Sequence, residues 1–243
     1  MNSLIVAGID NGTQSTKVIC YDIISKQIVA QASSKHELIA NNDGTREQKT
    51  EWWISALQSC FSQISPDIRS NIKAIGISGQ QHGFVPIDSN GNALYNVKLW
   101  CDTTTTAECD EITEKYGGKD KLLNDNLNLI LPGYTASKIL WFKKNHKDLY
   151  DKMDTILLPH DFLNFILTGE KTMEFGDASG TALLNIKERK WSIELLRCID
   201  NNRCLEKCLP KLINAYEFNG RVTKKASEMF GIPENIPVSS GGG

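Results

Sequence analysis

The chain has 243 residues, 40% of them apolar and 23% charged, which is enough to bury the core of one large domain or two small ones. A formal net charge of −2 lacks the basic footprint of a nucleic-acid binder. No apolar run approaches the roughly 18 residues of a membrane-spanning helix, and the first residues read without the basic and small-residue marks of a signal peptide.

The first informative stretch runs Leu4-Ile-Val-Ala-Gly-Ile-Asp10-Asn-Gly12-Thr13-Gln-Ser15-Thr16-Lys17. Leu4–Ile9 reads as a buried strand, with Asp10 at its end. Gly12 frees the backbone to turn, and Thr13, Ser15 and Thr16 add hydroxyls beside free N–H groups. Such a turn can cradle an anion, and a carboxylate at its rim can hold Mg²⁺ directly or through water. An ordinary hairpin with an Asx-type turn accounts for the same residues. The chain re-enters a strand at Val18–Tyr21 rather than a helix, which separates it from a P-loop and from a dinucleotide-binding Gly-rich turn.

A third strand, Ile28–Ala32, completes an antiparallel meander. Residues 41–49 are polar and read as a surface loop. Thr50 is the expected N-cap of a helix whose inner face carries Trp53, Leu57, Cys60, Phe61 and Ile64, with Pro66 as its stop. Ile72–Ser78 is a fourth strand, reached through that helix and so parallel to a strand of the meander. The order β-β-β-α-β differs from doubly wound folds, which alternate from the start. Gly79-Gln80-Gln81-His82-Gly83 follows the fourth strand, so Asp10 and His82 both fall at carboxyl ends of strands, where open α/β sheets place ligands.

Further on, Phe84–Asp88 with Asn90-Gly91 forms a hairpin-like turn, and Ala107–Tyr116 a helix closed by Gly117-Gly118. Thr135–His146 and Phe162–Thr168 are helices. Asp177-Ala-Ser-Gly180-Thr181 reads as a second hydroxyl-rich turn, with Asp161 and Asp177 given turn and cap duties. Two short helices near Glu194–Cys198 and Ala226–Phe230 precede Ile236-Pro-Val-Ser-Ser-Gly241-Gly-Gly243, a strand entering a Gly-rich turn. The seven cysteines are odd in number and scattered, as in a reduced cytoplasmic protein. Cys204-x-x-x-Cys208 lacks the second ligand pair of a zinc site.

Seven segments together resemble the amino-terminal half of the FGGY carbohydrate kinases, and within that family the xylulokinases. They are Gly8-Ile-Asp10-Asn-Gly12-Thr13, Gly79-Gln-Gln-His82-Gly83, Leu99-Trp100-Cys-Asp102, Leu131-Pro-Gly-Tyr134-Thr-Ala-Ser-Lys138, Leu158-Pro-His-Asp161, Leu167-Thr-Gly-Glu170 and Ser179-Gly-Thr181. They occur in the family's order from about residue 4 to the last residue, so the resemblance covers 1–243 as one amino-terminal sugar-binding lobe. It implies an α/β fold of the ribonuclease H-like, actin/hexokinase type, a mixed sheet with flanking helices. It also implies ATP- and Mg²⁺-dependent phosphorylation of a ketopentose, D-xylulose to D-xylulose 5-phosphate.

Carried onto this sequence, the resemblance makes Asp10 the carboxylate beside the metal and the transferred phosphoryl, and Gly12 and Thr13 the first phosphate-facing turn. Gln81 and His82 match the sugar-contacting pair, and Asp102 and Tyr134 are further candidates for lining the sugar site. A neutral imidazole and an amide offer donors and acceptors to hydroxyls without net charge. Two departures bear on function. Thr104 stands where many bacterial xylulokinases carry Arg, which leaves ribulokinase and glycerol kinase-like specificities as alternatives. The family's catalytic Asp and its ATP-binding domain follow the Gly-Gly-Gly turn at which this sequence stops, so the 243 residues are expected to be inactive alone. A stand-alone sugar-binding module is the rival reading. The expected partners are a ketopentose and ATP, without nucleic acid or membrane, and a homodimer of the intact protein stays open.

Overall fold

The computed structural model describes residues 3–243. The meander forms as expected from β1 (Ile5–Asn11), β2 (Ser15–Asp22) and β3 (Gln27–Lys35). Alternation sets its two faces: Ile5, Ala7, Ile9, Val18 and Cys20 point into the core, while Gly8, Asp10, Lys17 and Ile19 face out. Residues 41–49 are not all loop. Ile39–Ala40 (β4) and Arg46–Gln48 (β5) pair antiparallel, and Glu47 and Gln48 are buried because later residues partner their side chains. Helix α1 (Thr50–Ser62) starts one residue earlier than the capping pattern implied, with Lys49 at the N-cap and Thr50 already helical. Its inner face buries Trp53, Leu57, Cys60 and Phe61, each worth about 1.5–3 kcal/mol if large and apolar. Pro66 does not stop this helix. It opens the next one, α2 (Pro66–Ser70), where its missing N–H costs nothing.

Strand β6 (Ile72–Gly79) pairs parallel to β1, in register from Val6↔Ala74 to Asn11↔Gly79. Then come β7 (Val85–Ile87), β8 (Val97–Lys98), α3 (Thr106–Tyr116) and α4 (Lys119–Asn126). Gly117, at φ 105°, ends α3 in the left-handed conformation that glycine tolerates. Helices α5 (Thr135–Asn145) and α6 (Lys147–Tyr150) lead to β9 (Thr155–Leu157), which pairs with β7, and to α7 (Pro159–Thr168). After β10 (Thr172–Glu174), the segment expected to be a turn is a short helix, α8 (Phe175–Gly180). Glu174 makes it one by accepting from the Asp177 and Gly176 backbone N–H groups, so the cap is Glu174 and not Asp177. The chain closes through β11 (Leu184–Asn185), β12 (Lys190–Trp191), α9 (Ile193–Ile199), β13 (Lys211–Ile213), β14 (Phe218–Arg221), α10 (Lys224–Phe230) and β15 (Pro237–Ser239).

The main sheet has the order β14-β15-β6-β1-β2-β3, parallel across β15-β6-β1 and antiparallel elsewhere, a mixed sheet with the meander at one edge. One core lies between this sheet and α1, α7 and α10. A second, mainly helical core is built around Ile112, Ile139, Phe142, Leu183 and Leu195. The carboxyl ends of β1, β6 and β15 meet beside the second core. Among the described residues no helix is long and apolar enough to cross a membrane.

Candidate active site

Asp10 ends β1, opposite Lys17 on β2 and Ser78 on β6. It is exposed and lines an open cavity of about 760 Å³ with Lys17, Ser78, Ser239 and the 241–243 turn. Gly241 has to be glycine, because its φ is 77° and a Cβ would run into the Ile77 carbonyl. The turn beyond Asp10 is tighter than an anion nest. Gly12 N–H donates to Ser15 O at 3.1 Å, and Thr16 Oγ1 donates to a buried Asn11 carboxamide at 3.0 Å. The Gly12 N–H is therefore spent on the hairpin, and Gly12 does not take a positive φ. Neither Gly12 nor Thr13 lines the cavity; a Cβ on Gly12 would fall 3.9 Å from the Asp10 carboxylate, and the Thr13 hydroxyl accepts from Trp100 Nε1 at 3.0 Å. A second cavity, of about 500 Å³ between residues 116–125 and 185–194, is lined by charges of both signs and lies away from these strand ends.

At the end of β6 the backbone turns through His82 in the left-handed region, φ 59°, which a non-glycine residue adopts only when its surroundings impose it. The restraint is visible. The His82 carbonyl accepts from Lys138 Nζ at 2.8 Å and from Thr135 Oγ1 at 3.3 Å. Tyr134 stacks on the imidazole at 4.6 Å between centroids, and Gly180 leaves it room, since a Cβ there would collide with the ring. Tyr134 and Lys138 are one helical turn apart on α5 and therefore share a face. Lys138 is wholly buried, with the carbonyls of His82 and Gly133 (2.7 Å) as acceptors and no carboxylate in contact. Burial drives its ammonium down to about 7, against a partial upward pull from Asp102. Burial, helped by the nearby Lys138 charge, also lowers the His82 imidazole, which keeps it neutral at pH 7.

Behind Gln81 and His82 lies a cluster the sequence did not reveal. His160, on the first turn of α7, is fully buried, with Asp161 Oδ1 3.0 Å from Nε2 and Asp177 Oδ2 3.0 Å from Nδ1. Burial alone would lower the imidazole; the two carboxylates outweigh it and raise it to about 10, so His160 is an imidazolium. Asp161 does the expected capping work, accepting from Leu158 N–H at 3.2 Å. Asp177 does not cap; it turns its carboxylate to His160 and towards Gln81 and Gly243.

Asp102 takes a different position from the one its motif suggested. It is completely buried, and its oxygens are filled by Lys98 Nζ (3.0 Å), the Arg46 N–H (2.9 Å), and the Thr104 N–H (3.0 Å) and hydroxyl (2.6 Å). Burial works against ionisation here, yet Thr104, the Arg46 backbone and Lys98 hold the carboxyl below its ordinary range. Asp102 thus ties the 98–105 loop together and presents no oxygen to a ligand. The structure puts Asp10 on the cavity with the 241–243 turn, sets Gln81 and Asp177 beside Gly243 of that turn, packs Tyr134 against His82, and leaves Gly12 and Thr13 in the hairpin, off the cavity lining. It adds Lys138, His160 and Asp177, and leaves Asp102 outside. The i, i+4 spacing of Tyr134 and Lys138 was a usable signal for the lysine; nothing local marks the 160–177 pair.

A mixed β-β-β-α-β sheet with its polar residues at the strand ends defines an α/β sugar-kinase class of architecture, and similarity to known proteins narrows it. Residues 5–243 match the amino-terminal domain of the FGGY family of carbohydrate kinases, and the chain belongs to that family. It is 42% identical over 243 residues to a xylulose kinase of Haemophilus influenzae, covering 97% of this chain and 49% of that protein. With a xylulose kinase of Lactococcus lactis the identity is 35% over 98% of this chain and 47% of the relative. The crystal structure of a xyloylose kinase from Brucella ovis superposes with a TM-score of 0.89 at 28% identity, over 98% of this chain and 48% of that one. The chain spans about half the length of the curated relatives it matches.

Proposed function

We propose that the chain is the sugar-binding lobe of an ATP-dependent xylulokinase, the intact protein moving the γ-phosphoryl of ATP to O5 of D-xylulose to give D-xylulose 5-phosphate and ADP. The observation that carries this reading is the Gln81–His82 turn after β6, its His82 carbonyl clamped by Lys138 and its ring against Tyr134, with Gln81 beside the Gly243 that lines the Asp10 cavity. A rigid, neutral amide–imidazole pair suits a polyhydroxy ketone, to which it offers a donor and an acceptor without a charge that would need desolvation.

Asp10 is a lone carboxylate, and among the described residues no group of three metal-ligating side chains surrounds it. That fits Mg²⁺, which keeps most of its waters and is held by one or two carboxylates together with nucleotide phosphates. When bound, the ion would supply charge neutralisation between the phosphates. The part of this chain is to seat the sugar at Gln81 and His82, to hold Asp10 beside the phosphoryl path, and to present Gly12 and Thr13 to the phosphates. In the family the general base is an Asp following the Gly-rich turn that here ends at Gly243.

The test is ADP release by the polypeptide translated from the gene's complete reading frame, with D-xylulose, D-ribulose, L-ribulose and glycerol as acceptors. Preferred turnover of D-xylulose supports the reading. Turnover confined to ribulose or glycerol would reassign the substrate, and turnover of none of the four would sink the kinase assignment.

A further inference from the structure

Four buried polar atoms around the Gln81–His82 turn have no hydrogen-bonding partner in the protein: His82 Nδ1, both ring nitrogens of His160, and Asp177 Oδ2. The His160 nitrogens lie 3.0 Å from the carboxylates of Asp161 and Asp177, so the charges pair, but off the line a hydrogen bond needs. Each such atom costs about 1–3 kcal/mol when nothing satisfies it. Buried polar atoms are ordinarily satisfied, and here four that are not lie in one neighbourhood, three of them within the Asp161–His160–Asp177 group. By contrast, the equally buried Glu47–Lys98–Asp102 group has every charged atom in a directed bond or ion pair.

Asp177 is the member of this group that faces outward. It is 4% exposed, and a Cβ built on Gly243 would fall 2.6 Å from both of its oxygens and from Gln81 Cγ, so carboxylate and amide border the same space. Gly180, on the same short helix α8 as Asp177, lies against the His82 ring. Glu174 performs the capping of α8, so Asp177 has no backbone duty that explains burying a carboxylate there. The His160 imidazole, 3.0 Å away, sets the direction in which this carboxylate points.

We propose that Asp177 is a specificity-determining substrate residue, held by His160 as a positioning residue, and that it accepts a hydrogen bond from a hydroxyl of the ketose seated at Gln81 and His82. The proposal rests on the sugar-site reading above and deepens it. An acceptor-only group requires a hydroxyl donor at that point of the sugar and repels acceptors there, carboxylates of sugar acids above all. His160 sets the direction in which Asp177 points without touching the sugar.

The test is a D-xylulose titration of the 243-residue chain followed by the imidazole ¹³C–¹H resonances of its four histidines. His82 and His160 are assigned by His→Gln substitution. In the unmodified chain both signals are expected to shift with one dissociation constant, while His36 and His146 stay still. In Asp177→Asn, equal in size but without the charge, the His82 signal is expected to shift still, with a dissociation constant raised about tenfold or more, as for loss of a charge-assisted bond. The preference between D-xylulose and D-ribulose is expected to change with it. An unchanged constant and unchanged preference in Asp177→Asn would overturn the inference and leave the sugar site standing. Absence of any His82 shift in the unmodified chain would remove the sugar site and the inference together. Should Asp177→Asn not fold, Asp177→Glu keeps the charge for His160 and pushes it one methylene into the pocket; xylulose binding unaffected by that change would overturn the inference equally.

Discussion

Two buried charge clusters, one around Lys98 and one around His160, look alike on paper and differ in how they are finished. Lys98 sits between Glu47 and Asp102 at 3.1 and 3.0 Å, with the Trp141 ring 4.1 Å from its ammonium; Asn96, Arg46 and Thr104 fill the remaining carboxylate oxygens. His160 also stands between two carboxylates, yet its nitrogens and the facing oxygen of Asp177 lack directed bonds. The first cluster is complete within the protein and joins β5, β8 and the loop to α3. The second is paired in charge but not in hydrogen bonding, and its Asp177 borders Gly243 and Gln81. The difference separates a motif residue that holds a loop, Asp102, from Asp177, which reads from sequence as a turn or cap residue only and is assigned above to the sugar.

The sharpest way to break the comparison is to remove the cation of the finished cluster. Lys98→Ala strands two buried carboxylates and is expected to cost about 3–5 kcal/mol of stability, read from urea midpoints. Xylulose binding by the folded fraction should hardly change. A smaller effect on stability and a larger one on binding is expected at the strained turn. His82→Asn keeps a residue that tolerates the left-handed conformation, so its stability should stay within about 1 kcal/mol of the parent while sugar affinity falls by about tenfold or more. Gly180→Ala should act in the same direction by crowding the His82 ring, and calorimetric titration of both variants checks the pair.

The smallest expected effect is a pH dependence that is hidden until one cation is removed. His160 moves from an ordinary value of 6.5 to about 10 on folding. Its stabilisation is fully present below 6.5 and is lost as pH rises towards 10. Lys138 moves the other way, from 10.5 to about 7, so between pH 7 and 10.5 the unfolded chain binds the extra proton and stability rises with pH. Between pH 7 and 10 the two slopes, each about 1 kcal/mol per pH unit, oppose each other. His160→Gln should expose the rising slope and Lys138→Met the falling one, measured by denaturation at pH 7, 8 and 9. Parallel stability profiles in both variants would contradict the assignment of the two charges.

The sheet was legible because its signals are local. Apolar runs marked β1 and β2, and the intervening helix made β6 parallel. Boundaries governed by partners distant in sequence were not legible. Gln48 reads as a loop residue until Trp53 Nε1 donates to its Oε1 at 3.0 Å and its own amide reaches Thr13 O at 2.7 Å. The 177–181 segment reads as a turn because glycine and serine dominate it, and its helix depends on the Glu174 carboxylate just before it. Asp10, His82 and Tyr134 were singled out because they sit at strand ends or in motifs. Asp177 meets His160 across 17 residues of chain, through a tertiary contact that no periodicity encodes. Asp102 shows the converse: its motif was visible, but its burial came from Lys98 and Thr104.

The account stands or falls on whether the unfinished cluster is the one a sugar completes. Hydrogen–deuterium exchange of the 243-residue chain with and without saturating D-xylulose measures both regions at once. The expected result is sugar-dependent protection confined to residues 79–83, 133–138 and 174–181, with residues 46–48 and 97–105 unchanged. Protection centred on 46–48 and 97–105, or none anywhere, would contradict it.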